Sequence, residues 1–427
     1  MTKRTPEMLW WENSFTRIAD NRLFLGKEPA EDIAAACGTP LYVYSLARVR
    51  ENLEPLRQSV SAARSVDFRI LYAMKANPHP DILQLLQKDG TGIDAVSPNE
   101  AEAALAAGFS RESIFYTGTS VSRDDLHRIF RIGGMTITID AEEQLEIMQE
   151  VKRDFAPDII LPVSIRWNPG IGRGFSPKTV TAGVRSTDGV PIKFGVEETR
   201  VIPVMEQAKK MGFRPVGFHQ HLGSGWERSD FPDVCDAVEK MISMAAKIHG
   251  RSIPLQFLDF GGGFGPRYAE DQDIFPVDEY IRFIDKKMGN QRGLPSVVYL
   301  EPGKYLVADA GILLMHVEYV KSGCGSRFVC VNGGTFNTIP RLAIYTKAKH
   351  QAVNVSRVQA EKQGPFTIAG NLCESGDVFG CDVMLPEPRR GDILAVLCAG
   401  AYCRSMASHF NSRDIPKEIF IENRNEI

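Results

Sequence analysis

No marked excess of either charge distinguishes this chain: 50 Lys and Arg against 53 Asp and Glu leave a net charge of -3 over 427 residues. Nucleic acid or an anionic membrane surface is therefore not the partner that composition points to. Long apolar runs are missing too. No stretch of about twenty apolar residues is present to cross a bilayer. The opening segment, MTKRTPEMLWWENSFTRIAD, has no uninterrupted apolar run of the kind a secretion signal needs. Cysteine is sparse and scattered. Its eight copies, Cys37, Cys235, Cys324, Cys330, Cys373, Cys381, Cys398 and Cys403, make no C-x-x-C pair and sit near no histidine ligand pattern. That gives no support to a disulfide framework or to any metal site. The expected setting is reducing and cytoplasmic.

What is present is the material of a folded enzyme. Apolar residues make up 43% and charged residues 24% of the sequence, enough for a sizeable core, and the length suggests two domains. From Phe68 onward short apolar runs alternate with amphipathic segments. Candidate strands lie at 68–73, 92–96, 113–116, 136–140, 159–166, 216–220, 256–260 and 297–301. Helix-start signals stand between them, such as Ser97-Pro98 followed by Glu100, and Ser122 followed by Asp124-Asp125. Eight β-α repeats in roughly 250 residues predict a (β/α)8 TIM barrel.

After Glu301 the alternation stops, and β-like runs such as ILLMHVEYVKS, RFVCVNGG and GDILAVLCAG follow. The expected architecture is α/β. A barrel spans 46–305, a second, mainly β domain spans 306–427, and the segment 1–45 contributes its strands at 22–26 and 41–45 to the β domain. The first twenty residues read as irregular. The loop 169–193, long and rich in Gly, Ser and Thr, predicts a flexible flap over the barrel mouth.

Polar residues gather at the carboxyl ends of the candidate strands: Lys75, Asp94, Arg166, Asn168, His219, His221, Asp259 and Glu301. Active sites of barrels form on that face. One polar strand end would mean little, but so many from separate strands point to function. The run RILYAMKAN ends a buried strand on Lys75. Burial disfavours an ammonium and favours a neutral, nucleophilic amine of the kind that reacts with aldehydes; a snorkelling lysine is the bland alternative. LDFGGGFG (258–265) follows the seventh strand, where barrels often hold phosphate, and its glycines let backbone N–H groups approach closely. Its spacing is not that of a dinucleotide fingerprint. EPGK places Glu301 before a tight turn. HQHLGSG holds His219 and His221, which could equally be satisfied core histidines. CESGD carries Cys373 and Glu374 in a polar turn, and GAY carries Tyr402.

Together, YAMKAN, HLGSG, DFGGGFG, EPGK, FNTIPRLAIY, CESGD and GAY resemble the motifs of the fold type III pyridoxal-phosphate decarboxylases, in order and spacing and over nearly the whole chain. Within that group the chain is most similar to the diaminopimelate decarboxylases. The resemblance implies an alanine racemase-like barrel with a β domain, pyridoxal 5'-phosphate as cofactor, and an obligate homodimer with shared active sites. It implies that Lys75 carries the cofactor, that Glu301 pairs with its pyridine nitrogen and that His221 stacks on its ring. It places Asp94, Gly303, Ser224, Gly261, Gly262, Gly263 and Tyr402 around the cofactor, the last five at its phosphate. Arg341 and Tyr345, with Lys304, match substrate ligands. Cys373, as proton donor, and Glu374 would come from the partner protomer. The implied reaction converts meso-2,6-diaminopimelate to L-lysine and CO2.

Three positions depart from the diaminopimelate pattern or touch on it. Lys304 replaces the usual arginine, losing a bidentate grip on a carboxylate. Gly225 stands where glutamine is usual, as in ornithine enzymes. Glu374 follows Cys373, where ornithine and arginine enzymes have aspartate. Ornithine, lysine, or a carboxylated polyamine or siderophore precursor stay open as substrates, as do a racemase and a non-catalytic regulatory binder.

Overall fold

A computed structural model describes residues 9–155, 157–323 and 325–421 of the chain. Cys324 and the first eight residues lie outside the described residues. Two compact units are present. One is drawn from the described residues of Met1–Asn52, Pro266–Gln272 and Leu306–Ile427, the other from Leu53–Gly265 and Asp273–Tyr305.

The second unit is a closed barrel of eight parallel strands. In chain order these are Asp67–Ala73, Gly92–Ala95, Ile114–Tyr116, Thr136–Ile139, Pro162–Arg166, Arg214–His219, Phe257–Asp259 and Val297–Leu300. The eighth pairs with the first, Leu300 opposite Ile70, which closes the ring. Each candidate strand of the repeat is therefore a barrel strand. The helices between them start where the sequence signals lie. Ser97 Oγ accepts from Glu100 N–H at 3.2 Å with Pro98 in the first helical turn. Ser122 and Asp125 exchange side-chain and backbone bonds at 3.0 Å, a reciprocal cap that satisfies two otherwise orphan donors.

Toward the amino ends of the strands, Phe115, Phe257 and Tyr299 fill the barrel with ring centroids 4.7 to 5.2 Å apart, packed with Leu71 and Val216. Gly217 makes room for them. A Cβ there would lie 2.0 Å from the Phe257 ring.

The first unit centres on an eight-stranded sheet. Its long strand Gly311–Gly323 pairs with Leu41–Tyr44 on one side and with Ile393–Val396 and Ser326–Val331 further along. Lys362–Ala369 and Val378–Pro386 extend it. Tyr42, Leu313, Met315, Val329 and Phe366 are among the side chains of its core. Leu41–Tyr44 thus joins the β domain as expected, and a strand at Lys417–Phe420 pairs with it in turn. The strand at Arg22–Leu25 does not join that sheet. It pairs with Thr16–Ala19 and Glu28–Pro29 in a separate three-stranded sheet. The reason is local: Asp20 and Asn21 both adopt positive φ (49° and 62°) and close a tight hairpin, so residues 16–19 are a strand rather than irregular.

The loop 169–193 also differs from expectation. Its first half is bonded to the segment after the sixth strand: Arg173 N–H and Thr181 N–H donate to the Leu222 carbonyl, Phe175 N–H to that of Ser224, and Ser224 N–H to that of Thr179. Asn168 holds Gly183 through both ends of its amide. These backbone bonds make residues 172–183 a fixed wall rather than a flap.

Replacing Gly217 with alanine should force the Phe257 ring out of its slot and cost about 1–3 kcal/mol of overpacking. Urea denaturation of the variant against the parent measures this, and equal midpoints would show that the aromatic layer tolerates the methyl group.

Candidate active site

Lys75 occupies a single 3-10 turn, Met74–Ala76, just past the first barrel strand. Its Nζ donates to Asp94 Oδ2 at 2.7 Å; the lysine side chain is 33% exposed and the aspartate wholly buried. Asp94 is the penultimate residue of the second strand and accepts from the Thr117 hydroxyl through its other oxygen. A primary amine is thereby held beside a buried anion while keeping access to space.

Glu301 follows the eighth strand and is buried. His219, the last residue of the sixth strand, lies with Nε2 3.3 Å from Glu301 Oε1. Asp259 ends the seventh strand, opposite His219 in the register. Polar atoms of these three residues lie within 4.8 Å of one another. Burial alone would raise the Glu301 carboxyl, but His219, Lys75 and Arg166 outweigh it and hold the group below its ordinary range. Asp259 goes the other way, pushed well above the usual carboxylate range by burial and by the charge of Glu301. Arg166, at the end of the fifth strand, stacks 4.4 Å over the Phe194 ring and lies 3.8 Å from Asp140. Burial draws its guanidinium value down.

His221 stands just beyond the sixth strand, its Nδ1 2.9 Å from the Thr181 hydroxyl on the fixed loop. Burial, then the charges of Arg166 and Lys75, push it well below the ordinary imidazole value, so it is neutral at neutral pH. His219 and His221 serve different neighbours.

The glycine turn is knitted into this floor. Gly261 N–H donates to Asp259 Oδ1 at 2.9 Å, and Glu301 N–H donates to the Gly261 carbonyl at 2.9 Å. A Cβ at Gly262 would lie 2.1 Å from the Glu301 carbonyl oxygen, and one at Gly263 2.2 Å from the Trp226 ring. Ser224 lies in the adjoining strand-like segment, bonded through its backbone to Thr179 and Phe175. Gly303 is buried against Ala73 and Ala76, on either side of Lys75. Lys304 is buried with its Nζ 4.8 Å over the Phe175 ring.

The remaining residues singled out in the sequence lie in the other unit. Arg341 is buried and donates to the Tyr268 hydroxyl at 3.0 Å, with its guanidinium 4.9 Å over that ring. Tyr345 and Tyr402 are half-buried, Tyr402 at a φ of 56°. Cys373 and Glu374 are exposed on a turn that Asp377 shapes by accepting from Leu372 N–H and from the Thr335 N–H and hydroxyl.

Residues 46–308 match the family described as pyridoxal-dependent decarboxylase, pyridoxal binding domain. The chain belongs to this family. It is 38% identical over 405 residues to the diaminopimelate decarboxylase of Methanothermobacter thermautotrophicus, covering 93% of this chain and 90% of that one. It is 32% identical over 410 residues to that of Bacillus subtilis, covering 94% and 90%. Among solved structures it is similar to diaminopimelate decarboxylase from Helicobacter pylori complexed with L-lysine, with a TM-score of 0.82 at 30% identity, covering 92% and 94%.

The decarboxylase is thus a carboxy-lyase that uses pyridoxal phosphate, and its site fits that cofactor: a partly accessible amine, a buried ionised carboxylate, and a glycine turn that no side chain could enter. Sequence reasoning noted Arg166, His219 and Asp259 at strand ends without giving them roles. Thr117, Thr181 and Asp140 went unnoticed, because each acts through a contact between segments distant in the chain.

The depressed His221 value has a consequence for stability. Above about pH 6.5 the ring is neutral in folded and unfolded chains alike; below it the unfolded chain takes up a proton that the folded one refuses. Stability is therefore present above that pH and lost as pH falls toward the folded value. Replacing His221 with glutamine should flatten this fall, by up to about 1.4 kcal/mol per pH unit, in urea titrations of the cofactor-free decarboxylase between pH 7 and 5. An unchanged slope would rule the effect out.

Proposed function

We propose that this decarboxylase converts meso-2,6-diaminopimelate to L-lysine and CO2 in lysine biosynthesis, as a cytoplasmic homodimer. The observation that carries the reading is the meeting of Lys75, Asp94, His221 and Glu301 at one end of the barrel, together with diaminopimelate decarboxylases at 31% and 38% identity over more than nine-tenths of the chain.

When bound, pyridoxal phosphate supplies an aldehyde for the amines and an electron-withdrawing ring for the charge left as CO2 departs. Lys75 Nζ would hold it, and Asp94, which accepts from that nitrogen at 2.7 Å, would serve as the base beside it. Glu301, anionic in a buried site, would be the partner that keeps the cofactor's ring nitrogen protonated. Neutral His221, oriented by Thr181, would pack against the ring without adding charge. The backbone of Gly261–Gly263, with Ser224, would hold the phosphate, a role the resemblance also gives to Tyr402, and Gly303 would keep the backbone beside Lys75 uncrowded. Arg341, Tyr345 and Lys304 orient the substrate's carboxylates. Cys373 returns a proton to the carbon that lost CO2, and with Glu374 enters the site from the partner. The exposure of both residues in the single chain supports that reading.

A second reading, the same chemistry on another amino acid, rests on Lys304, a point charge where a fork would grip a carboxylate better. CO2 release from meso-diaminopimelate, L- and D-lysine, L- and D-ornithine and arginine separates the two. Diaminopimelate should be preferred by about 100-fold or more in kcat/KM; a preference for another amine would establish the second reading. Lys75→Ala should abolish the visible absorption of the lysine-bound cofactor and lower turnover by about 10,000-fold. Mixing Lys75→Ala with Cys373→Ala protomers should restore partial activity, about a quarter of the parent's for random pairing into two-fold dimers. An inert mixture, with subunit exchange shown, would mean that each site is built from one chain.

A further inference from the structure

We propose that Asp259 keeps its proton and donates a hydrogen bond through it to the Glu301 carboxylate, and that this pair, beside His219, is a positioning device that keeps Glu301 ionised and aimed. The inference deepens the reading of Glu301 as the partner of the cofactor's nitrogen, and rests on it.

The geometry comes from the barrel. His219, Asp259 and Glu301 sit at the ends of the sixth, seventh and eighth strands, so adjacent strands set their side chains together. The three are 2%, 1% and 4% exposed. Two buried carboxylates with oxygens within 4.8 Å of each other repel, and one proton between them relieves the repulsion.

The surroundings decide which group keeps it. Lys75 from the first strand, Arg166 from the fifth and His219 from the sixth all favour the anion at Glu301. Asp259 meets the negative charges of Glu301 and of Asp94 on the second strand. The phenols coupled to Asp259, Tyr280 and Tyr299, are kept neutral by burial. Asp259 Oδ1 already accepts from Gly261 N–H, which leaves Oδ2 to carry the proton. The mechanism needs an anion at Glu301 and assigns no task to a second acid beside it. A neutral donor at Asp259 gives that acid a function: it satisfies a Glu301 lone pair that would otherwise be buried without a partner, and it does so without adding charge.

The test is infrared spectroscopy of the cofactor-free protein at about pH 7. The carbonyl stretch of a protonated carboxylic acid should be present, should move when aspartate is labelled with carbon-13, and should vanish in Asp259→Asn, or in Asp259→Ser if the asparagine variant does not fold. Absence of a label-sensitive acid band in the parent, or its survival in the variant, would overturn the proposal while leaving the decarboxylase reading untouched. Titration with pyridoxal phosphate adds a second readout. Asp259→Asn, which keeps a neutral donor, should bind within about threefold of the parent, whereas Asp259→Ala should lose about tenfold, the worth of one buried hydrogen bond. Equal losses in the two variants would also count against the proposal.

Discussion

Negative charge is buried at the carboxyl end of the barrel, and the site is arranged to make that tolerable. Asp94, Asp140 and Glu301 are all shielded from water. An uncompensated buried carboxylate costs several kcal/mol, so each is given partners. Asp94 has Lys75 and the Thr117 hydroxyl. Asp140 has Arg166, the Thr119 hydroxyl and Gly195 N–H. Glu301 feels Lys75, Arg166 and His219 together. Arg166 belongs to two of these sets, which ties them into one network. Its removal would leave two anions short of compensation at once.

Much of this could be read before any coordinates. The eight barrel strands announced themselves because most of their residues are buried on both faces, which gives short apolar runs bounded by polar ends. The polar residues at those ends could be gathered on one face of the barrel, since strand order places them there whatever the loops do. What stayed hidden depends on pairing across distance. Lys417–Phe420 is a strand because Leu41–Tyr44 offers it an edge, and nothing in KEIF announces that. Val378–Pro386 lies at the end of its sheet, pairs with register shifts and is partly exposed, so its apolar alternation is broken. Asp20-Asn21 was a readable hairpin signal that the irregular composition around it obscured.

The loop 169–193 shows the limit of composition as a guide. Gly, Ser and Thr suggested mobility, yet the same residues are what let the backbone lie close to the segment 222–224. A Cβ at Gly172 would meet the Ala182 carbonyl at 2.1 Å, and one at Gly223 the Arg173 carbonyl at 2.0 Å. Small residues here permit contact between backbones. Through that contact Thr181 reaches His221, so a residue without any sequence signal orients the His221 ring.

The crowding around Gly262 and Gly263 bears on how such a pocket can change over time. With the Glu301 carbonyl and the Trp226 indole already filling the places where side chains would project, the turn cannot drift by point substitution without displacing the carboxylate beside it. Lys304 is confined in the same way: its buried side chain passes close by Gly265 and Phe175, so a change there would also have to move its neighbours.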